Sequence, residues 1–473
     1  MRFIQCLFVS FLLTVLFSCP VFSAEHRADQ VPSIPLDFTV TYPEKFRLTN
    51  GIEVFFKQDS ELPLVDVSVV VEAGKIGVPN NMAGLDELVA ALLRNGGAGQ
   101  LNAELLDQRL EDLAARVQVK ASTYTTSFDL SLLREDAEEG VELLASMVQS
   151  PKFDAQRFTV NQQKLLESIR RRGDRMTSLA QQVLFSQLYA GHPLADFSRH
   201  ETVLPLTVDD VKRYYQQHFT PQRTRIAISG DMTVGEAEQW LQRTFGGWLK
   251  QGGDSALPHF KDTNPSGTVL VHRPIPQTTI LLGEIGIEKS NPDLHAVQVM
   301  NYILGGGGFS SRLMREIRSN RGLAYSVYSY FSVGRRLLGP FIAGCETKNE
   351  SVAEVVNLMS AQMETIRLQP ITEQELNQAK DSLINSFVFT FENPHALTKR
   401  IMSQQMYGYP EHYLDEYRQR IAAVTVADVQ RVALTYLHPD QQLLILVGDR
   451  EALQPSLKQL GGSVEEIELG DLL

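Results

Sequence analysis

The chain has 473 residues, 43% of them hydrophobic and 21% charged, and a formal net charge of -12. That length exceeds one ordinary core and fits two domains of about 200 residues, while the composition is that of a globular protein and excludes a disordered one. An acidic balance of this size excludes nucleic acid as the main partner.

The N-terminus reads as an export signal. Met1-Arg2 precedes an apolar stretch over 3–17, then Ser18-Cys19-Pro20 and Val21-Phe22-Ser23-Ala24. A basic start, a short apolar core and small residues before Ala24 predict a secretory signal peptide over 1–23 and an exported, periplasmic protein. The alternative is a lipoprotein signal anchored through Cys19, for which Phe17 is a poor neighbour. Without the signal region only Cys345 remains, so no disulfide and no Cys₄ or Cys₂His₂ metal site is expected. No later stretch has the roughly 18 uninterrupted apolar residues of a transmembrane helix.

In chain order, Asn50-Gly51 marks a tight turn before an apolar strand at 52–56, and a buried strand follows at 65–71. Apolar spacing of three and four predicts helices at 83–93 and 103–117. Residues 119–133 return to strand character. Helices are expected at 138–148, 158–172, 179–188 and 208–218, and a strand at 225–229. After a Gly- and Pro-rich joint at 250–267 the order recurs. Strands at 268–271 and 279–283 precede helices at 294–304 and 311–320, then strands at 324–333 and 339–345, then helices at 352–367 and 373–389. Strand runs followed by helix runs predict an α+β fold, each half a mostly antiparallel sheet with helices packed on one side.

A repeat ties the halves together. Thr207-Val-Asp-Asp210-Val-Lys-Arg213, Pro221 and Gly230-Asp231 recur 218 residues later as Thr425-Val-Ala-Asp428-Val-Gln-Arg431, Pro439 and Gly448-Asp449. Eight identities in one register identify a duplicated domain, with boundaries expected at 38–249 and 268–466.

The run from Leu304 through Gly305, Gly306, Gly307, Gly308, Phe309 and Arg312 to Leu313, followed by Arg318-Ser-Asn-Arg-Gly-Leu-Ala-Tyr325, resembles the second domain of the insulinase/pitrilysin-type (M16) zinc peptidases. The resemblance covers nearly the whole chain after the signal region and implies two M16 metallohydrolase-like halves. In that family the first domain carries His-x-x-Glu-His, two imidazoles on one helical face and a carboxylate to take a proton from zinc-bound water. Aligned on Gly84, this chain has Glu87 and Ala91 where the histidines belong and Ala90 where the glutamate belongs. Its ten histidines never lie closer than eight residues, so none form a one-turn ligand pair. A site assembled from scattered residues such as His192 and His200 is the remaining way to hold zinc. Glu167 stands at the third-ligand position, where it also reads as a salt-bridge partner of the Arg170–Arg172 run.

Arg318 and Tyr325 match, in spacing and context, a pair that active relatives aim at a substrate carbonyl and its developing oxyanion. Read without the family, Arg318 is a helix-terminal cation and Tyr325 a strand aromatic. The Gly305–Gly308 run lacks the Lys-Ser/Thr of a phosphate loop and is expected to be a flexible connection or a helix terminator. Lys120 to Thr123 matches the edge strand that aligns substrate, with Lys120 where Asn is usual; strand addition could bind an extended peptide there.

Some members of the family pair a zinc-bearing subunit with a similar one that lacks zinc. The resemblance therefore implies a non-catalytic subunit, inactive alone, with no cofactor in this chain and zinc in the partner. Arg318 and Tyr325 would act in trans, and unfolded or extended peptide would be the substrate. The alternative is a peptide-binding or structural scaffold, a homodimer included, with no part in hydrolysis.

Overall fold

In the computed structural model of the chain, residues 40–249, 258–261, 265–391 and 393–473 are described. The expected signal peptide, Cys19 and most of the 250–267 joint lie outside them. Both copies of the repeat begin with the same cap. The backbone N–H groups of Asp210 and Asp428 donate to the Thr207 and Thr425 hydroxyls (3.3 and 3.1 Å), and the carboxylates of Asp210 and Asp428 accept the threonine N–H (2.9 and 3.0 Å). These reciprocal boxes satisfy helix-end donors that would otherwise be orphaned. Each capped helix, Val208–His218 and Val426–Tyr436, leads into a buried strand, β6 (Thr224–Gly230) and β11 (Leu443–Gly448).

Those strands sit inside two matching six-stranded sheets. The first sheet has the order β1 (Glu44–Arg47), β2 (Glu53–Gln58), β6, β3 (Leu64–Val71), β5 (Thr126–Leu133), β4 (Arg116–Ala121). The second runs β12 (Val464–Ile467), β7 (Gly267–His272), β11, β8 (Gln277–Ile285), β10 (Pro340–Lys348), β9 (Ala324–Phe331). Most pairs are antiparallel; β2 with β6 and β7 with both β11 and β12 are parallel. One face of the first sheet packs against α1 (Leu85–Asn95), α2 (Ala103–Asp112), α3 (Ala137–Gln149) and α4 (Ala155–Arg170), whose inward Leu, Val and Ala side chains join Val54, Val67, Val69 and Phe128.

The opposite faces are covered by an exchange. Helix α5 (Met176–Leu188) belongs in sequence to the first half yet buries Leu179, Val183 and Leu184 against Val269, Leu281, Ile342 and Ile445 of the second sheet. In return the second half lends Pro394–Met406, whose Leu397, Ile401 and Met402 pack on Phe55, Val70 and Ala227 of the first. A sheet with apolar residues on both faces must be covered on both, and this swap does it. Its fit is close: a Cβ at Gly283 would lie 2.7 Å from both Leu184 methyls. Contacts of this kind make Phe38–Leu473 one compact unit.

Three sequence expectations are corrected. The helix expected over 103–117 ends at Asp112, and after Ala114 turns at φ 47° the chain is already strand at Arg116. The strand character of 119–133 resolves into the β4–β5 hairpin. The helix expected to 389 stops at Ser386 and tightens into a 3₁₀ segment, Phe387–Phe391. The lent helix Pro394–Met406 and helices Val234–Phe245 and Tyr413–Ala423 were not anticipated.

Candidate functional site

Helix α1 follows Gly84, where a φ of 102° favours glycine and a Cβ would lie 2.8 Å from Val203 Cγ2. Asp86 and Glu87 occupy the first turn, where the helix dipole favours negative charge. Glu87 is exposed, Ala90 buried and Ala91 half-buried. One carboxylate and two methyl groups therefore stand at the three aligned positions. Glu167 is committed elsewhere, to Arg171 Nε at 2.7 Å and Arg170 at 3.6 Å. This donor set does not fit zinc, which needs three or four nitrogen, sulfur or carboxylate ligands. His192 offers no substitute: its Nδ1 accepts from Leu194 N–H (3.1 Å) and its Nε2 lies 3.3 Å from the Pro258 carbonyl. Among the described residues no group of three or more His, Cys, Asp or Glu side chains is placed to hold a metal ion.

Beside these positions lies a small polar cavity of about 170 Å³, lined by Lys75, Asp86, Glu87, Arg172 and Asp196 among others. Burial, and then the Glu87 charge, push the Asp86 carboxyl up to about 6, opposed by Lys75. Burial likewise lowers the Lys75 ammonium, which donates to the Leu194 carbonyl at 3.1 Å. Arg172 closes the cavity by donating to Ser198 O and Oγ (2.6 and 3.0 Å). Sequence reasoning passed over Lys75, Asp86 and Asp196; a Lys-to-Asp-Glu spacing at a helix start is too common to single out.

The second half presents a different arrangement. The Gly305–Gly308 run begins inside the π-helical turn Tyr302–Gly306, and the helix after it, Met314–Asn320, is also π-wound. Such wide turns are rare and concentrate at functional sites. The glycines at 305–307 are packed rather than loose. A Cβ at Gly305 would lie 2.4 Å from Ser329 Oγ, and those at Gly306 and Gly307 would meet Asn301 and Tyr302. Only Gly308, at φ 57°, stands in open space.

Phe309 projects from this run and is 70% exposed; Tyr325, at the start of β9, is 82% exposed. Arg318 lies between them, its guanidinium carbon 4.6 Å from the Phe309 ring centre and 4.4 Å from that of Tyr325. Cation–π attraction to both rings holds the guanidinium between them. No carboxylate pairs with Arg318 among the described residues. A stacked guanidinium beside an exposed phenol can hydrogen-bond a carbonyl or an oxyanion. Phe309 was not singled out from the sequence, because its place beside Arg318 depends on how the glycine run turns.

Two six-stranded sheets with exchanged helices, and Glu87, Ala90 and Ala91 at the aligned positions of the first half, define a duplicated α+β fold with unequal halves. Residues 53–200 match the family model described as insulinase (peptidase family M16), and residues 205–383 that described as peptidase M16 inactive domain. The chain belongs to the M16 insulinase family. It is 27% identical over 341 residues to the non-peptidase homolog YmxG of Helicobacter pylori, covering 71% of this chain and 77% of that protein. It is 28% identical over 341 residues to an uncharacterized zinc protease of Streptomyces coelicolor, covering 69% and 73%. The solved peptidase M16 inactive domain from Pseudomonas fluorescens superposes with a TM-score of 0.79 at 25% identity, covering 86% of this chain and 98% of that one. The periplasmic protease PqqL from Escherichia coli shares the fold, with a TM-score of 0.74 at 18% identity over 91% of this chain and 48% of its own.

Proposed function

We propose that this chain is the non-catalytic subunit of an exported two-chain zinc peptidase. On this reading a partner bearing His-x-x-Glu-His holds the zinc, and this chain supplies peptide-binding surface and the Arg318–Tyr325 pair in trans. The observation that carries the reading is the contrast between its halves. Glu87, Ala90 and Ala91 offer no metal site, yet Arg318 is stacked and left unpaired beside an exposed Tyr325. The export signal read at 1–23 supports a periplasmic setting, and no helix among the described residues is long and apolar enough to cross a membrane.

The test is to copurify the partner and measure peptide hydrolysis by the pair. Arg318→Ala and Tyr325→Phe should each lower kcat by roughly a hundredfold to a thousandfold, the range for removing an oxyanion donor, with assembly intact. The chain alone should hold no stoichiometric zinc and cleave nothing. A zinc-bearing partner whose rate is untouched by both changes would refute the in-trans role and favour the scaffold.

A further inference from the structure

A larger cavity, of about 690 Å³, lies where the two halves meet, away from the Arg318 pair. Its walls are the β4–β5 hairpin (Lys120, Ser122, Thr125, Ser127), the lent helix Pro394–Met406, the start of helix Leu294–Asn301, and the β9–β10 connection at Val333 and Arg335. Among the described residues four cations line it, Lys120, Arg335, Lys399 and Arg400, and no Asp or Glu does. Lys399 is held by Asp129. Among the described residues no carboxylate pairs with the other three. In an acidic chain this is an uncommon concentration of unneutralised positive charge, and a cleft with low-dielectric walls focuses its field inward.

Tyr407, Tyr409 and Tyr413 also line it. Tyr407 is 5% exposed, and its hydroxyl has no hydrogen-bond partner. The side-chain oxygen of Gln298, also on the wall, is buried without one. A buried polar group left without a partner is costly, so each such group calls for an explanation. Arg335 and Arg336 lie over the Tyr407 ring at 5.0 and 5.6 Å; Glu72 pairs with Arg336 and Arg225, not with Arg335.

We infer that this cavity between the halves binds an acidic peptide segment, with Arg335, Arg400 and Lys120 taking its carboxylates and Tyr407 donating to its backbone. Tyrosine rings and the Met402 and Met406 side chains share the lining with the cations. That mixture suits a chain whose carboxylates alternate with apolar side chains, and the volume is in the range that encloses a ligand of several hundred Å³. The inference deepens the peptide-handling reading above and rests on it for taking the occupant to be peptide.

The experiment uses the full chain alone, with no partner and no zinc. Fluorescence anisotropy is read with a short labelled peptide alternating Glu and Leu, a matched peptide with Gln for Glu, and one with Lys for Glu. The Glu peptide should bind, the Gln peptide should bind roughly tenfold more weakly and the Lys peptide not at all. Arg335→Gln with Arg400→Gln, both exposed positions, should weaken the Glu peptide by tenfold or more. Tyr407→Phe should weaken all Glu-containing peptides by a smaller, sequence-independent factor. Equal binding of the three peptides, or full retention by the double variant, overturns the proposal. So does complete displacement by inorganic phosphate at a concentration that matches its own simple binding, which would make this an anion site. Because binding is measured without a partner, its failure leaves the kcat effects of Arg318→Ala and Tyr325→Phe untouched, and their failure leaves this binding untouched.

Discussion

Replacing Asp86 with Asn should stabilise the protein at neutral pH. Asp86 is buried at the start of α1, and burial, followed by the Glu87 charge, raises its carboxyl from 3.8 to about 6. A folded-state pKa above the unfolded one means the native protein binds this proton more tightly than the unfolded chain does. Stability from this group is therefore greatest below the unfolded pKa, falls as pH rises between 3.8 and about 6, and stays reduced above that. The shift corresponds to about 3 kcal/mol of penalty at pH 7. Asn removes the charge and keeps the shape, but it also gives up the attraction to Lys75, so the expected gain is about 1–3 kcal/mol. The assay is urea unfolding of wild type and Asp86→Asn at about pH 7.5 and about pH 4.5, read as the difference between the two proteins. Other titrating groups cancel in that difference. His218 and His295, lowered to about 4 by burial first, act with opposite sign: their contribution is present above 6.5 and lost as pH falls toward 4. The two midpoints should converge on acidification. An Asn variant no more stable at neutral pH, with the same pH dependence as wild type, would refute the account of Asp86 as a buried, strained carboxylate.

Glu284, 2% exposed, accepts from His438 N–H (3.0 Å), faces His438 Nδ1 at 2.6 Å and accepts from Gln442 Nε2 (2.7 Å), so Glu284→Ala should cost about 3 kcal/mol or more by thermal or urea unfolding, with Glu284→Gln much milder. Gly283→Ala puts a methyl group against Leu184 of α5 and should cost about 1–3 kcal/mol, and the cavity left by Leu184→Ala about 3 kcal/mol, both by urea midpoint; together in one chain they should cost less than their sum. The Cys345 thiol is buried and pushed up to about 12 by that burial, so a thiol reagent should modify it only on the timescale of unfolding.

The frame of the fold was legible because it is written in local signals. The Thr-x-x-Asp caps at 207 and 425, the apolar strands closing on Gly-Asp and the period of α1 each declare themselves within a few residues. The lent helix Pro394–Met406 did leave a mark, Asn393 capping it and Pro394 in its first turn. Its apolar positions, Leu397, Ile401 and Met402, are too few to set a period, because it covers a sheet from the other half. The same reason hides the larger cavity: Lys120, Arg335 and Arg400 are far apart in sequence and meet only once the helices have changed places. At the degenerate first half the positions of Glu87, Ala90 and Ala91 could be read directly, whereas the burial that perturbs Asp86 could not, since it depends on Pro193 to Ser198 folding back over the start of α1.

The exchange also limits how the chain can move. Parting the halves would bare Leu179, Val183, Leu184 and Leu188 on one helix and Leu397, Ile401, Met402 and Met406 on the other, all buried now. At about 1.5–3 kcal/mol for each such side chain, exposing both faces costs on the order of 10–20 kcal/mol. A domain's whole stability is about 5–15 kcal/mol. Opening this chain like a hinge is then as costly as unfolding it. On the function proposed above, a large opening would therefore fall between this chain and its partner rather than between its own halves. The exposed Phe309 and Tyr325 rings, with Arg318 between them, would then be the surface that meets the partner. A hydrogen-exchange experiment should accordingly find α5 and Pro394–Met406 protected with the global free energy, and a much lower opening energy for either helix would contradict this mechanical reading.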